Sequence, residues 1–206
     1  MLGSAIAPHA SQLRLIAECR TGHVPGMNDV STDATLACRR LYWSALQDRW
    51  DRRTRQAAAW LADEAGVVDI GCGLMPLRDH LPAGTRYVPV DIVDRGPGTV
   101  LTDLNADPLP RFAERAAAML GVVEYVTDLP RLFAQLRQFD RVVLSYNHAS
   151  VQDVLWAMRL RRKEVIWLHR HGPARFARLL EDAGWHIARR HRVRVGEAMY
   201  DLRNSP

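Results

Sequence analysis

The 206-residue chain is 48% hydrophobic and 25% charged, a composition typical of a soluble globular domain with a sizeable core. Its net charge of +5 is carried by arginine, since Lys163 is the only lysine. No apolar run approaches a membrane span, the first residues lack a signal-peptide pattern, and the three cysteines have neither metal-like nor redox-pair spacing. These features predict a cytoplasmic protein without a disulfide framework, a metal site or a membrane segment.

The first quarter of the chain predicts helices. Residues 33–65 carry apolar side chains at helical spacing and contain no Gly or Pro, so we expect one or two helices there. Residues 1–60 are predicted to form a helical extension or lid. Residues 61–206 are predicted to form the main domain.

Five apolar runs follow, at 66–71, 86–92, 99–104, 116–122 and 140–146. Several lack polar alternation, as strands of a parallel sheet covered on both faces do. A helical pattern is clearest at 128–138, and two alternating runs around Gly196 predict a closing antiparallel hairpin over 185–204. The predicted fold is therefore α/β: a Rossmann-like, seven-stranded, mostly parallel sheet with helices on both faces and a C-terminal antiparallel hairpin.

The stretch VVDIGCGLMPL, residues 67–77, predicts a ligand-binding loop. Its strand carries Asp69 near its end, and Gly71 and Gly73 would bring bare backbone close to a ligand at the carboxyl edge of the sheet. Met75 and Pro76 stand where a third small residue would be expected, so the dinucleotide-binding G-x-G-x-x-G pattern fails at Pro76, which is expected to begin the next helix. A pyrophosphate needs the full glycine pattern. The loop therefore favours a nucleoside ligand without a diphosphate.

Two further acids end the next two predicted strands. Asp91 stands about twenty residues after the glycines, where a carboxylate can hold both hydroxyls of a ribose. Asp103 could accept a hydrogen bond from the exocyclic amine of adenine. Each acid alone could equally be a helix cap or a turn residue. Together they favour an adenosine ligand.

Five segments resemble motifs of one family, the class I S-adenosylmethionine-dependent methyltransferases, and especially its small-molecule branch. They are VVDIGCG, YVPVDI, LTDLNADPLP, MLGVVEYVTDLPRLF and FARLLEDAGWHIARRHRV, which together span about residues 60–204. The resemblance implies S-adenosylmethionine as cofactor, with Asp91 at the ribose and Asp103 near adenine. The remaining cofactor-binding residues that it implies are Asp69, Gly71, Cys72, Gly73, Ile92, Leu104, Leu120 and Gly121.

The expected activity is transfer of a methyl group to an O or N atom of a small-molecule acceptor. Positioning can supply much of the catalysis, and a general base is needed only for a hydroxyl or a protonated amine. The candidates are Glu124, Tyr146 and His148, with His148 preferred for its intrinsic pKa. Aromatic contacts to the acceptor are expected from the N-terminal extension, at Tyr42, Trp43 and Trp50.

Three alternatives stay open at this point. A nicotinamide-dependent oxidoreductase would also use the two glycines and Asp91, but would leave Asp103 and the terminal hairpin unexplained. A binding protein could keep this fold without catalysis. The dense arginines between Arg159 and Arg194 could contact nucleic acid, although a solvated protein face is the favoured interpretation because no aromatic interleaving or Asn-Pro-Pro-Tyr motif accompanies them. The sequence predicts no oligomeric state.

Overall fold

The computed structural model describes residues 51–148 and 168–204. The expected aromatic contacts of Tyr42, Trp43 and Trp50 lie outside these residues, as does most of the predicted lid. No helix within the described ranges is long and apolar enough to cross a membrane. The helices are α1 (Asp51–Trp60), α2 (Leu129–Leu136) and α3 (Pro173–Asp182). The strands are β1 (Gly66–Ile70), β2 (Arg86–Asp91), β3 (Val100–Leu101), β4 (Ala116–Met119), β5 (Arg141–Asn147), β6 (Trp185–Arg194) and β7 (Glu197–Asn204).

The seven strands form one sheet in the order β3-β2-β1-β4-β5-β7-β6. The first five strands of that order run parallel, and β7 is antiparallel to both β5 and β6. The predicted mostly parallel sheet with a closing antiparallel hairpin is confirmed. The order also centres β1 and β4, so their carboxyl ends lie side by side at one edge.

Helices cover both faces, as predicted, because alternate strand residues point to opposite sides. On one face, Val67, Ala118 and Val143 pack with Ala57 and Leu61 at the end of α1. The opposite face carries the larger core, in which strand residues pack with α2 and α3: Val68, Ile70, Met119, Leu144, Phe133 and Phe176. Since α1 shares a core with the sheet, its last turns belong to the same packed body. The predicted division at residue 60 stays a prediction.

The expectation that Pro76 begins a helix is wrong. The connection from β1 to β2 contains only a 3₁₀ turn, Arg78–His80. Met75 has a left-handed φ of 59°, and Pro82 disfavours helical geometry at the residue before it. Too few residues lie between these two constraints for an α-helix to form.

Two predicted strands are also shorter than their apolar runs. Of residues 99–104 only Val100–Leu101 pair, because β3 is an edge strand bonded to β2 alone. The run at 116–122 ends as a strand at Met119. The chain then turns at Gly121, whose φ is 73°.

The hairpin is fixed to the sheet by a buried ion pair. Arg141 of β5 donates from Nε and Nη2 to the two carboxylate oxygens of Asp201 on β7, at 3.0 and 2.9 Å. Both side chains are almost completely buried. Nη1 of the same guanidinium also bonds Asp63 and Glu64, which follow α1. One cation thus joins β5, the hairpin and the end of α1.

Replacing Arg141 by Leu should lower the free energy of unfolding by about 3–5 kcal/mol, because Asp201 would stay buried without its main partner. Urea denaturation measures this loss. Arg115→Leu is the control, since Arg115 pairs with Asp140 at the exposed surface and its removal should cost little. A loss at Arg141 no larger than the control's would contradict the anchoring role.

Candidate functional site

The candidate site lies at the carboxyl edge of the parallel strands, where the acids and glycines singled out in the sequence are brought together. Asp69 is the second-last residue of β1, Asp91 is the last residue of β2, and Asp103 follows β3. Gly121 follows β4, the neighbour of β1 on its other side. The topology therefore places these four residues along one edge.

The turn after β1 is shaped by backbone geometry. Gly71 and Gly73 have positive φ values of 73° and 55°. A Cβ on Gly71 would lie 2.2 Å from Val122, so glycine lets the loops after β1 and β4 touch. A Cβ on Gly73 would meet none of the described residues within 4 Å. Among those residues, the Gly73 backbone is therefore uncovered.

Met75 has a left-handed backbone conformation, which glycine adopts more easily than other residues. Its left-handed φ costs a side chain about 1–2 kcal/mol relative to ordinary backbone. The side chain is 7% exposed, and the backbone N–H donates to the carbonyl of Cys72 at 2.8 Å. Met75 is therefore directed into the protein.

The carboxylate of Asp91 joins the loops after β1 and β2. Its Oδ2 accepts from the Gly73 N–H at 2.9 Å, and its Oδ1 accepts from the Val93 N–H at the same distance. Arg95 approaches Oδ2 through Nε at 3.4 Å, with both side chains largely buried. Asp91 is therefore a preorganised acceptor beside the glycine turn.

Asp69 lies beneath this turn. It accepts a 2.5 Å hydrogen bond from the hydroxyl of Tyr87 on β2 and is almost fully buried. Burial and the neighbouring Asp69 carboxylate raise the pKa of Tyr87. Burial, with the charges of Asp69 and Asp91, also raises the pKa of the Cys72 thiol. Cys72 is thus an inert packed thiol, and Asp69 links β1 to β2 through the Tyr87 hydroxyl.

Asp103 begins a polar connection between the loops after β3 and β4. Its Oδ1 accepts from the Asn105 N–H at 3.0 Å, while its buried Oδ2 has no hydrogen-bond partner among the described residues. Asn105 in turn donates to the carbonyl of Tyr125 and accepts from Thr127. The three apolar residues that the family resemblance adds to this edge are all partly exposed: Ile92, Leu104 and Leu120.

The loop after β4 is held from two sides. The Gly121 N–H donates to the hydroxyl of Ser145 on β5 at 2.8 Å. A Cβ on Gly121 would lie 2.7 Å from Nη1 of Arg53 on α1, and that guanidinium donates to the buried Glu197 at 3.2 Å. Helix α1 therefore reaches the candidate site and fixes it against β7.

Glu124 is fully buried in the same region. Its Oε1 accepts from the backbone N–H and the side-chain amide of Asn147, both at 2.7 Å. Its Oε2 is buried and has no partner within the described ranges. Burial raises the pKa of this carboxyl, an effect that the two Asn147 bonds and the charge of Arg53 oppose.

His148 and Tyr146 lie in an aromatic cluster, and the polar atoms of both side chains are hydrogen-bonded. Nδ1 of His148 contacts the carbonyl of His171 at 3.2 Å, and Nε2 contacts the Tyr200 hydroxyl at 2.6 Å. A carbonyl can only accept, so Nδ1 carries the proton and Nε2 accepts from Tyr200. Burial lowers the pKa of His148. The lone pair that a general base needs is already engaged, so this geometry favours a structural role.

Tyr146 is equally enclosed. Its ring stacks on Phe176 at 3.9 Å between centroids, and its hydroxyl accepts from the His171 N–H. Burial raises the pKa of Tyr146 to about 12, which makes it a poor base near neutral pH. His169, a further histidine of this region, contacts the carbonyl of Thr127. The three proposed catalytic residues thus separate into an aromatic cluster and Glu124.

Several residues of the site carry no local sequence signal. Arg53, Ser145 and Asn147 meet the loop after β4 only through tertiary packing. Arg95 is the exception, because it stands four residues after Asp91 and immediately before the sequence Gly96-Pro97-Gly98. No group of three or more His, Cys, Asp or Glu side chains that could hold a metal ion is present among the described residues.

The fold of this chain resembles those of solved structures, although no family model matches it and no curated sequence is significantly similar. Magnesium protoporphyrin IX methyltransferase from Synechocystis PCC 6803, with bound SAH, matches at a TM-score of 0.62 and 18% identity, over 95% of this chain and 94% of that one. Human N-acetylserotonin methyltransferase, in complex with SAM, matches at a TM-score of 0.63 and 15% identity, over 95% of this chain and 66% of that one.

A third structure, the mitomycin 7-O-methyltransferase MmcR, matches at a TM-score of 0.62 and 17% identity, over 94% of this chain and 67% of that one. The chain therefore spans about two thirds of two of these proteins and nearly all of the first. At such identities the likeness shows the fold. The chain has the fold of these methyltransferases.

Glu124→Gln should change how stability depends on pH. Because the folded-state pKa of Glu124 is raised, the folded protein holds a proton that the unfolded chain releases, and stability falls as pH rises above about 4.5. The variant cannot ionise, so its free energy of unfolding should rise relative to wild type between pH 4 and pH 8. Urea denaturation across that range measures the difference, with Glu181→Gln on the exposed side of α3 as control. A constant difference would contradict the buried-acid assignment.

His148→Ala should lower the free energy of unfolding by about 2–4 kcal/mol, because a buried ring is lost and the Tyr200 hydroxyl loses its acceptor. Chemical denaturation measures this, and His169→Ala, at a partly exposed ring, should have a much smaller effect. An undiminished stability would instead leave His148 available as a base.

Proposed function

We propose that this protein is an S-adenosylmethionine-dependent methyltransferase that transfers a methyl group to an O or N atom of a small-molecule acceptor. One observation carries the proposal: the glycine turn after β1 is bonded through the Gly73 N–H to the Asp91 carboxylate, and no described residue lies within 4 Å of where a Gly73 Cβ would stand. This arrangement lies at the carboxyl edge of a sheet with the methyltransferase fold. Two of the similar structures contain SAH or SAM.

The residues at this edge fit such a cofactor. Asp91 would hold the ribose hydroxyls, and the buried Oδ2 of Asp103, which lacks a partner among the described residues, would accept from the adenine amine. Leu104 and Leu120 are partly exposed and would offer apolar contact to the base. The ribose and the adenine of the cofactor would thus each contact a matching group of the chain.

The geometry weighs against the nicotinamide alternative. A dinucleotide places its pyrophosphate at the N-terminus of the helix after β1. Residues 71–85, all of them described, contain only the 3₁₀ turn Arg78–His80. S-adenosylmethionine carries no diphosphate, so the absent helix removes nothing that it needs.

Catalysis is proposed to rest on positioning. The cofactor supplies a methyl group already activated on a sulfonium, and the chain's part is to hold the acceptor in line and exclude water. His148, the base that the sequence favours, has both ring nitrogens engaged. Glu124 is the better candidate for an acceptor contact, since Oε2 has no partner among the described residues and the carboxyl ends of β4 and β5 flank it.

The acceptor side of the proposal depends on residues 1–50. We propose that this segment closes over the site as a lid, with the aromatic residues Tyr42, Trp43 and Trp50 available for contact. A small molecule is preferred to nucleic acid, because no aromatic interleaving and no recognisable nucleic-acid module accompany the arginines between Arg159 and Arg194 in the sequence. Arg194 among them is paired with Glu197. We propose a cytoplasmic location.

Calorimetric titration with S-adenosylmethionine, S-adenosylhomocysteine and NAD tests the function. The two sulfur compounds should bind and NAD should not. Binding without methyl transfer to any of a broad panel of hydroxyl and amine acceptors would favour the non-catalytic binding protein instead. Tight NAD binding alone would overturn the proposal.

Asp91→Ala should weaken S-adenosylhomocysteine binding by about tenfold to a hundredfold, since charge-assisted bonds to the ribose are worth about 1.5–3 kcal/mol. The same titration measures the loss in a variant shown to be folded by circular dichroism. Asp94→Ala is the matched control, because Asp94 is an exposed acid of the same loop and accepts a hydrogen bond from the Gly96 N–H. Equal affinities of wild type and Asp91→Ala would remove the ribose assignment.

A further inference from the structure

Two segments of the described chain, 168–178 and 185–196, contain seven arginines and four histidines and no Asp or Glu. The first segment leads into α3, and the second forms β6 and the turn of the hairpin. They approach each other around His148, whose Nδ1 contacts the His171 carbonyl at 3.2 Å. Burial and the charge of Arg190 lower the pKa of the same ring. The two basic segments are therefore neighbours in the fold.

Two arginines of β6 lie on the side of the sheet that α3 covers. Arg190 stands opposite Tyr200 on β7, and Arg192 stands opposite Ala198. Tyr200 and Ala198 belong to the core that packs against α2 and α3. Cross-strand partners point to the same side of a sheet. Arg190 and Arg192 therefore share that side, and both are exposed.

The outer surface of α3 adds two cations to the same side. Phe176 is buried in the core, whereas Arg175 and Arg178 are exposed. Within the described ranges, no acid pairs with the guanidinium groups of Arg175, Arg178 and Arg192. We call Arg175, Arg178, Arg190 and Arg192 the basic face. Its charges add to a positive potential on this side of the protein.

Two exposed apolar side chains border the basic face at the carboxyl edge of the sheet. Leu168 is 46% exposed and Val195 is 54% exposed. The Leu168 N–H donates to the carbonyl of Glu124, which bonds the last residue of β5. Gly196, next to Val195, accepts from the N–H of His148, which follows β5. The end of β5 thus brings both apolar residues to one end of the molecule.

We propose that the basic face, with Leu168 and Val195, docks on an anionic lipid surface. Anionic headgroups attract exposed arginines, and each such residue near the surface strengthens binding. Apolar side chains next to a cationic surface can enter the boundary between headgroups and acyl chains. The combination of unpaired arginines with exposed apolar residues fits a lipid surface on both counts. This surface goes beyond the proposed methyl transfer.

Two other anionic partners fit the same region less well. Every Phe, Trp and Tyr of the two segments is buried, so no such ring is available to stack on a nucleic-acid base. An acidic peptide could add a strand to β6, but the pairing of β6 shifts register at Ile187/Arg189 and at Arg192/Arg194. Bulges and charged side chains are features that protect an edge strand from such addition. A lipid surface requires neither base stacking nor a regular strand edge.

Co-sedimentation with vesicles tests the proposal. The protein is mixed with vesicles of phosphatidylcholine alone, or of equal parts of phosphatidylcholine and phosphatidylglycerol, at low and at physiological ionic strength. It should sediment with the anionic vesicles only, and more weakly at the higher ionic strength, because salt screens exposed charges. The double variant Arg175→Gln/Arg192→Gln should bind the anionic vesicles at least about tenfold more weakly.

The double variant Arg111→Gln/Arg115→Gln is the matched control. It removes the same net charge from two exposed arginines that precede β4, at the opposite edge of the sheet. Its vesicle binding should stay close to that of wild type, and circular dichroism checks that all variants are folded. An equal loss in the control, or no sedimentation of wild type with anionic vesicles, would overturn the docking surface.

Two further measurements separate the parts of the proposal. Leu168→Ser/Val195→Ser should weaken vesicle binding at both ionic strengths, because salt does not screen apolar contact, and unchanged binding would overturn the role of these two residues. Polyglutamate and single-stranded DNA are titrated at physiological ionic strength. Tighter binding of either than of the anionic vesicles, lost in Arg175→Gln/Arg192→Gln, would overturn the lipid assignment. Failure of S-adenosylhomocysteine to bind would count against the methyltransferase proposal alone.

Discussion

The Asp91 carboxylate is the point at which the loops after β1 and β2 meet. It is buried, and a buried charge is stable only when hydrogen bonds and opposite charge replace its hydration. The Gly73 and Val93 N–H groups and the Arg95 guanidinium provide that replacement. The same interactions fix the glycine turn in its open conformation, so the acid that would hold a ribose also shapes the surface on which the ligand would lie.

A second set of buried polar groups organises the ends of β4 and β5. Arg53 pairs with Glu197 and contacts the turn at Gly121, while Ser145 accepts from that turn's backbone. Because every one of these groups lies on a different element, the loop after β4 is held by α1, β5 and β7 together. Such rigidity suits a site in which positioning carries the chemistry. Glu124 Oε2 has no hydrogen-bond partner among the described residues. A hydroxyl or amine of the methyl acceptor that donated a hydrogen bond to this oxygen would satisfy it.

The two halves of the sheet edge differ in what holds them. At β1 and β2, backbone N–H groups bond one acid, and few side chains are involved. At β4 and β5, side chains from distant parts of the chain make the contacts, and β7 contributes through Glu197. The site at β1 and β2 can be predicted from the sequence, because its residues lie within about twenty positions of one another. The second kind depends on the folded chain.

The sequence by itself determined the order of strands along the chain, the hairpin and the acids at strand ends. Strands buried on both faces are mostly apolar, and the half-exposed edge strand β6 alternates, so both leave a readable pattern. Strand β7 is buried from Glu197 to Leu202, and its two acids are neutralised by partners on other elements. Only the tertiary structure decided that no α-helix follows Pro76, because the left-handed φ of Met75 cannot be inferred from its residue type. It also decided that His148 is enclosed by Tyr200 and His171, since the availability of a lone pair is set by residues more than twenty positions away.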